Sequence, residues 1–206
     1  MIIAFSGIDG SGKTTYAVSV VEYIRGKSLK ARYRHNVRDT FYHLILHKGI
    51  GGVSESSRAS IETALRNKKN RAYFSFAGSI KKILLLMDLI FFNIRYGSYK
   101  GSRAKTLVCD RYFYDEIVQM RYLGLSREKF IRFYESLIIS PDTLFFVKSD
   151  PMVAYERKSE YDKEYFLKKT DLYSDAYKTI GHVEIEDSDL KVNERSIKAK
   201  IDRVIC

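Results

Sequence analysis

Cysteine and proline are each present only twice in this chain, and glycine accounts for just 12 of its 206 residues. Cys109 lies inside an apolar run and Cys206 is the last residue. That pair builds no disulfide framework and has no metal-ligand spacing, so a reducing, cytoplasmic setting is the expectation. So little proline and glycine excludes collagen-like repeats and Pro-rich linkers and argues against disorder. Long apolar runs are missing too: the most apolar stretch, Ile83 to Phe92, contains Asp88. It falls well short of the ~20 residues that span a bilayer and reads as a buried helix. The opening Met1-Ile2-Ile3-Ala4-Phe5 has neither a basic n-region nor a long apolar core. It reads as a strand rather than a signal peptide. Neither an internal repeat nor a sustained heptad is found.

What remains is an ordinary globular composition, 45% hydrophobic and 30% charged, long enough for one well-buried domain over residues 1–206. Lys and Arg number 36 against 25 Asp and Glu, a formal +11. Such a surface attracts anions: nucleotides, nucleic acid or acidic membrane. Short apolar runs bounded by turn residues alternate with longer segments of helical period, the rhythm of an α/β fold with a parallel sheet covered on both faces. Strands are predicted at Ile2 to Ser6, Ala31 to His35, Thr106 to Cys109, Thr143 to Val147 and His182 to Ile185. Helices are predicted at Lys13 to Arg25, Arg71 to Ile94, Phe113 to Tyr122, Arg127 to Ile138, Pro151 to Lys158, Lys163 to Tyr177 and Val192 to Val204. Ser126 reads as a helix N-cap, Pro151 as a first helical position after Asp150, and Gly26 as a helix end. The Gly- and Ser-rich stretch between His47 and Ser60 reads as a mobile loop.

Gly7-Ile8-Asp9-Gly10-Ser11-Gly12-Lys13-Thr14 has the glycine, lysine and threonine spacing of a phosphate-binding P-loop. Such a match arises by chance in roughly one chain per hundred of this length. This one also follows a predicted strand and opens a predicted helix, as the chemistry requires. Glycines let successive N–H groups turn inward around phosphate oxygens, and the helix start adds its positive end. Gly7, Asp9, Gly10, Ser11, Gly12, Lys13, Thr14 and Thr15 are therefore the expected binding residues for ATP. Lys13 would reach the β and γ phosphates, and the Thr14 hydroxyl would hold Mg²⁺. A second carboxylate comes from Leu107-Val108-Cys109-Asp110-Arg111-Tyr112. Asp110 at the end of a neighbouring strand would help organise Mg²⁺, and Arg111 would lean over the acceptor phosphate. The Asn-Lys-x-Asp that reads guanine is absent from the sequence, which disfavours a GTPase.

With its P-loop Gly7 to Thr15, its Asp110-Arg111-Tyr112 element, and Asp150-Pro151 followed by Tyr155-Glu156-Arg157-Lys158, the chain resembles the thymidylate kinase family. The resemblance implies the P-loop NTPase fold, three α/β/α layers around a five-stranded parallel sheet, with a short helical lid at about residues 156–164. It implies phosphoryl transfer from ATP to a nucleoside monophosphate, dTMP first of all. Lys13, Arg111 and the lid residue Arg157 would be catalytic, and Asp9 would reach the acceptor sugar. Those kinases commonly dimerise through long helices, and the apolar Ile80 to Phe92 face could serve a homodimer or the core equally.

The acceptor side departs from the family. Arg34-His35-Asn36-Val37-Arg38 stands where an Arg-Glu-Pro is usual, with Arg38 as a substitute. Leu89 and Ile90 occupy the position of a further arginine, whose nearest basic alternatives are Lys81, Lys82 and Arg95. Asp115 and Glu116 replace small residues, and if they face the cleft they argue for a changed acceptor. The candidate acceptor residues are thus Asp9, Arg38, Phe74, Arg111, Asp115 and Gln119. Two other functions stay open: a kinase of the same type for a nucleoside or a sugar phosphate, and a nucleotide-dependent nucleic-acid-binding protein. The second has only the charge and a Lys- and Tyr-rich C-terminal half behind it. Small nucleotides are the expected partners, with no membrane.

Overall fold

The computed structural model describes residues 1–36, 71–124, 126–158, 161–186 and 190–205, and of 71–78 the backbone alone. In chain order the elements are β1 (Ile2–Ser6), α1 (Lys13–Gly26), β2 (Lys30–His35), α2 (Arg71–Tyr96), β3 (Lys105–Asp110) and α3 (Phe113–Leu123). There follow α4 (Glu128–Ser136), β4 (Thr143–Val147), α5 (Pro151–Arg157), α6 (Lys163–Tyr177), β5 (Val183–Ile185) and α7 (Leu190–Ile205). A 3₁₀ turn, Gly97–Tyr99, extends α2. The predicted strands and helices are all present, most within two residues of their expected ends. The exceptions are informative. Ser126 does not cap α4: the helix starts at Glu128 behind Arg127, with no side-chain cap, while the Ser126 hydroxyl points to the Met120 sulfur. Gly26 is the last residue of α1, yet the left-handed conformation that ends the turn belongs to Ser28. The stretch from 47 to 60 lies outside the described residues.

The five strands are parallel in the order β2-β3-β1-β4-β5. This is the P-loop NTPase fold. β1 and β4 are buried along their whole length, because helices cover both faces and every second residue still meets a core. On one face Ile2, Ala4, Leu107, Cys109, Leu144 and Phe146 pack against α2, α3, α4 and α6. On the other, Ile3, Phe5, Val108, Phe145 and Val147 pack against α1 and α7. The edges are protected differently. β5 is three residues long, and β2 carries Lys30, Arg32 and Arg34, charges that discourage pairing with another chain.

The chain leaves β1 to one side for β2 and β3, then to the other for β4 and β5. At such a reversal a crevice opens at the carboxyl ends of the strands. The residues following β1 and β3 therefore meet there. On the α2 side the core is aromatic. Phe92 is fully buried and stands edge-on to Tyr112 and Phe113 at ring distances of 5.7 and 4.9 Å. Phe92→Ala should lower the unfolding free energy by about 3–5 kcal/mol with an unchanged denaturant slope, read from urea titration of the full chain.

Candidate functional site

The P-loop is shaped by backbone that only glycine adopts cheaply. Gly7, Gly10 and Gly12 have φ of 147°, 82° and 88°. A Cβ on Gly7 would stand 2.4 Å from the Val147 carbonyl oxygen, and one on Gly10 2.8 Å from that of Ala154. The loop is thus pressed between the end of β4 and α5, and α1 starts directly from Gly12. This geometry aims the first free N–H groups of α1 into a cavity of about 500 Å³. Its walls are Asp9 through Tyr16, together with His35, Asp110, Arg111, Arg157, Lys158 and Leu190.

Inside this cavity Lys13 is buried and turns its ammonium back onto the Ile8 carbonyl and, at 3.2 Å, the Ser11 hydroxyl. Burial and the nearby Arg111 push its pKa down to about 8, against the pull of Asp9, Asp115 and Asp110. The Thr14 hydroxyl donates to Asp110 Oδ2 at 2.6 Å, and the Tyr33 hydroxyl donates to the same oxygen at 2.8 Å. A hydroxyl and a carboxylate this close are hard oxygen donors of the kind Mg²⁺ takes, and the pair fits that ion.

Arg111 adopts φ of 69° although it carries a side chain, and its N–H is fixed on the Phe5 carbonyl at 2.9 Å. Its guanidinium pairs with Asp9 and lies 3.9 Å from Asp115 Oδ1. Burial works against its charge, but Asp9 and Asp115 outweigh it and hold Arg111 protonated. Burial likewise works to raise the Asp9 pKa. Arg111, with Lys13 and Lys169, more than reverses this and holds the carboxyl far below the usual range. The other Asp9 oxygen accepts from the Tyr165 hydroxyl of α6 at 2.9 Å. Such a left-handed arginine persists only where its surroundings fix it, and these do.

The expected residues Asp9 through Thr15, Asp110, Arg111 and Arg157 converge on this cavity, and Arg157 donates to the Gly10 carbonyl at 3.4 Å. Gly7 shapes the same loop from below. Asp115, expected on the acceptor side, does not line this cavity. Its carboxylate is buried and accepts from the Tyr112 N–H at 2.7 Å, the Tyr173 hydroxyl at 2.7 Å and the Gly7 N–H at 3.4 Å. It caps α3 and ties that helix to the P-loop and to α6. Gln119 also lies off this cavity and accepts from the buried Lys169, whose ammonium sits over the rings of Tyr122 and Tyr165. Arg38, the side chain of Phe74 and residues 159–160 of the expected lid lie outside the described residues. Leu89 is core and Ile90 is exposed. Lys82 and Arg95 lie along the rings of Phe130 and Tyr96.

Tyr33, His35, Tyr165, Tyr173 and Lys169 belong to this neighbourhood and were not expected from sequence. For the first two a signal existed. In the β2–β3 ladder His35 is the partner of Asp110 and Tyr33 that of Val108, so strand period two puts both side chains on Asp110's face.

The Lys13 environment makes a prediction with a definite sign. In the free protein its ammonium loses its proton as pH passes about 8, while a polyphosphate held against it restores the ordinary value. Binding should therefore take up a proton at pH 8.5, and affinity should fall as pH rises further. Calorimetry of MgADP binding in two buffers of different ionisation enthalpy reads the uptake; proton release would contradict it.

No protein-family model matches the chain. It is 25% identical over 198 residues to the probable thymidylate kinase of Methanocaldococcus jannaschii, covering 94% of this chain and 90% of that one. It is equally 25% identical over 190 residues to the thymidylate kinase of Plasmodium falciparum, covering 90% and 78%. Among solved structures, deoxyadenosine kinase from M. mycoides with bound dATP superposes with a TM-score of 0.59 at 16% identity, over 98% of this chain and all of that one. The same kinase with bound dCTP gives 0.54 at 17% identity, over 98% of this chain and all of that one. Along nine-tenths of its length the chain is similar in sequence to thymidylate kinases, on the P-loop NTPase fold.

Proposed function

We propose that this chain is a nucleotide kinase that transfers the γ-phosphoryl group of ATP to a nucleoside monophosphate, with dTMP as the first acceptor. The observation that carries this reading is the meeting of Lys13 and Thr14 with Asp110 and Arg111 at the ends of β1 and β3, in one cavity crossed by Arg157. The sequence likeness to thymidylate kinases supports it. An acceptor phosphate is already an anion, so no general base is needed, and catalysis consists of positioning and charge stabilisation.

The geometry supports the following roles. The P-loop N–H groups and Lys13 hold the donor phosphates, Lys13 exchanging its contacts to Ile8 and Ser11 for phosphate oxygens. Thr14 and Asp110 would hold Mg²⁺, which when bound neutralises phosphate charge. Arg111 is held within reach of both phosphate groups by Asp9 and Asp115. Arg157, at the end of α5, closes over the P-loop from the lid side. Asp9, fixed by Arg111 and Tyr165, presents its carboxylate to the acceptor sugar. Asp115 and Glu116 were the argument for a different acceptor, and the oxygens of Asp115 are taken up by Tyr112, Tyr173 and Gly7. That leaves the monophosphate reading the stronger.

A coupled assay with ATP and Mg²⁺ should show turnover with dTMP above other monophosphates, nucleosides and sugar phosphates. Lys13→Ala should lower kcat by ~100-fold or more with an unchanged melting temperature. Turnover retained in that variant, or stimulation by polynucleotide in place of monophosphate, would overturn the assignment.

We further propose a homodimer through α2. Ile80, Ile83, Met87, Ile90 and Ile94 repeat at intervals of three and four along it and are all more than 40% exposed, a helical stripe that a second copy would cover symmetrically. Light scattering should give twice the 24.0 kDa chain mass, and Ile83→Glu with Ile90→Glu should give the monomer.

A further inference from the structure

His35 stands beside the Thr14–Asp110 pair, and no role so far described uses it. It is the ladder partner of Asp110, it lines the cavity with Lys13 and Thr14, and its side chain is 18% exposed. Its Nε2 lies 3.9 Å from Asp110 Oδ2, the same oxygen that accepts from Thr14 at 2.6 Å. One octahedral ion with ~2.1 Å bonds keeps its ligands ~3.0 Å apart when adjacent and ~4.2 Å apart when opposite. The 2.6 Å hydrogen bond would have to open to the adjacent spacing and the 3.9 Å gap to widen slightly to the opposite one; side-chain shifts of a few tenths of an ångström would let hydroxyl, carboxylate and imidazole share a single ion.

We propose that His35 is a nitrogen ligand of the divalent ion that accompanies the nucleotide, so that this site favours Mn²⁺ over Mg²⁺. The proposal rests on the reading that the P-loop holds a metal–nucleotide complex. Its chemistry is that of the donor set. Mg²⁺ takes oxygen ligands and gives up water reluctantly; imidazole suits the later first-row ions best, and Mn²⁺, although itself at home among oxygen ligands, is the member of that row nearest Mg²⁺ and the one that accepts a nitrogen in its place. An all-oxygen set from Thr14, Asp110 and phosphate would leave Mg²⁺ as the natural occupant. An imidazole at the same ion tilts the balance toward a transition ion without any change in net charge. Tyr33, donating to Asp110 Oδ2 at 2.8 Å, fixes the carboxylate from the side of the same strand and keeps it turned toward His35.

The test is pulsed electron paramagnetic resonance on the full-length protein with Mn²⁺ and ADP, comparing natural-abundance protein with protein carrying ¹⁵N-histidine. Labelling histidine alone separates a protein nitrogen from those of adenine. The expected result is a nitrogen coupling to Mn²⁺ that changes with the histidine label and is lost in His35→Asn. The ratio of Mg²⁺ to Mn²⁺ dissociation constants, measured with ADP present, should fall ~10-fold in that variant. His35→Gln serves as a second variant, and thermal melting shows that each is folded. Protein-bound Mn²⁺ without a histidine coupling, a coupling that survives in His35→Asn, or an unchanged metal ratio overturns the His35 role while leaving the metal–nucleotide reading intact. If Mn²⁺ with ADP does not bind the protein at all, both fall.

Discussion

The Arg111 guanidinium holds two loops together, and the rest of the site depends on it. Asp9 from the loop after β1 and Asp115 from the first turn of α3 both approach this one buried cation, which the loop after β3 supplies. Removing charges from water is costly, and the cost is offset only when partners and hydrogen bonds are complete. Here they are nearly complete: Tyr165 satisfies the second Asp9 oxygen, while Tyr112, Tyr173 and Gly7 satisfy Asp115. The left-handed backbone of Arg111 is held in place by the same contacts and by the Phe5 carbonyl.

This network also links the two sides of the crevice. Tyr165 and Tyr173 both belong to α6, eight residues apart in sequence, so they share a face of the helix and reach the P-loop carboxylate and the α3 cap respectively. Tyr173 and Tyr177 in turn stack on Phe146 of β4, at ring distances of 6.0 and 4.4 Å. α6 is therefore anchored near both ends by a tyrosine that packs against other rings and also donates to a carboxylate. Displacing it would expose Asp9 and Asp115 together.

Charge is arranged economically around an anion site. Lys13, Arg111, Arg157 and Lys158 face the cavity, with Asp9 and Asp110 among them. In the free protein Lys13 is kept only weakly basic by burial and by Arg111, which readies it for an incoming phosphate charge. The +11 of the whole chain acts at longer range and brings anions toward the surface without selecting among them.

The layered parallel sheet, the ends of its elements to within about two residues and the P-loop half of the site were legible in the chain alone. Those features are local: period two or 3.6 in apolar residues, glycines at fixed spacing, a carboxylate at a strand end. Only the tertiary structure decided the fate of Asp115, Gln119, His35, Tyr33 and the α6 tyrosines, because each acquires its partner from an element distant in the chain. Asp115 looked like an acidic intrusion into an acceptor cleft and became a buried brace once Tyr173 and the Gly7 N–H were brought to it. His35 meant nothing alone and gained its chemistry from a ladder register that sets it opposite Asp110. Residue type fixes what a side chain can bind, whereas the packing of strands and helices fixes which partner it meets.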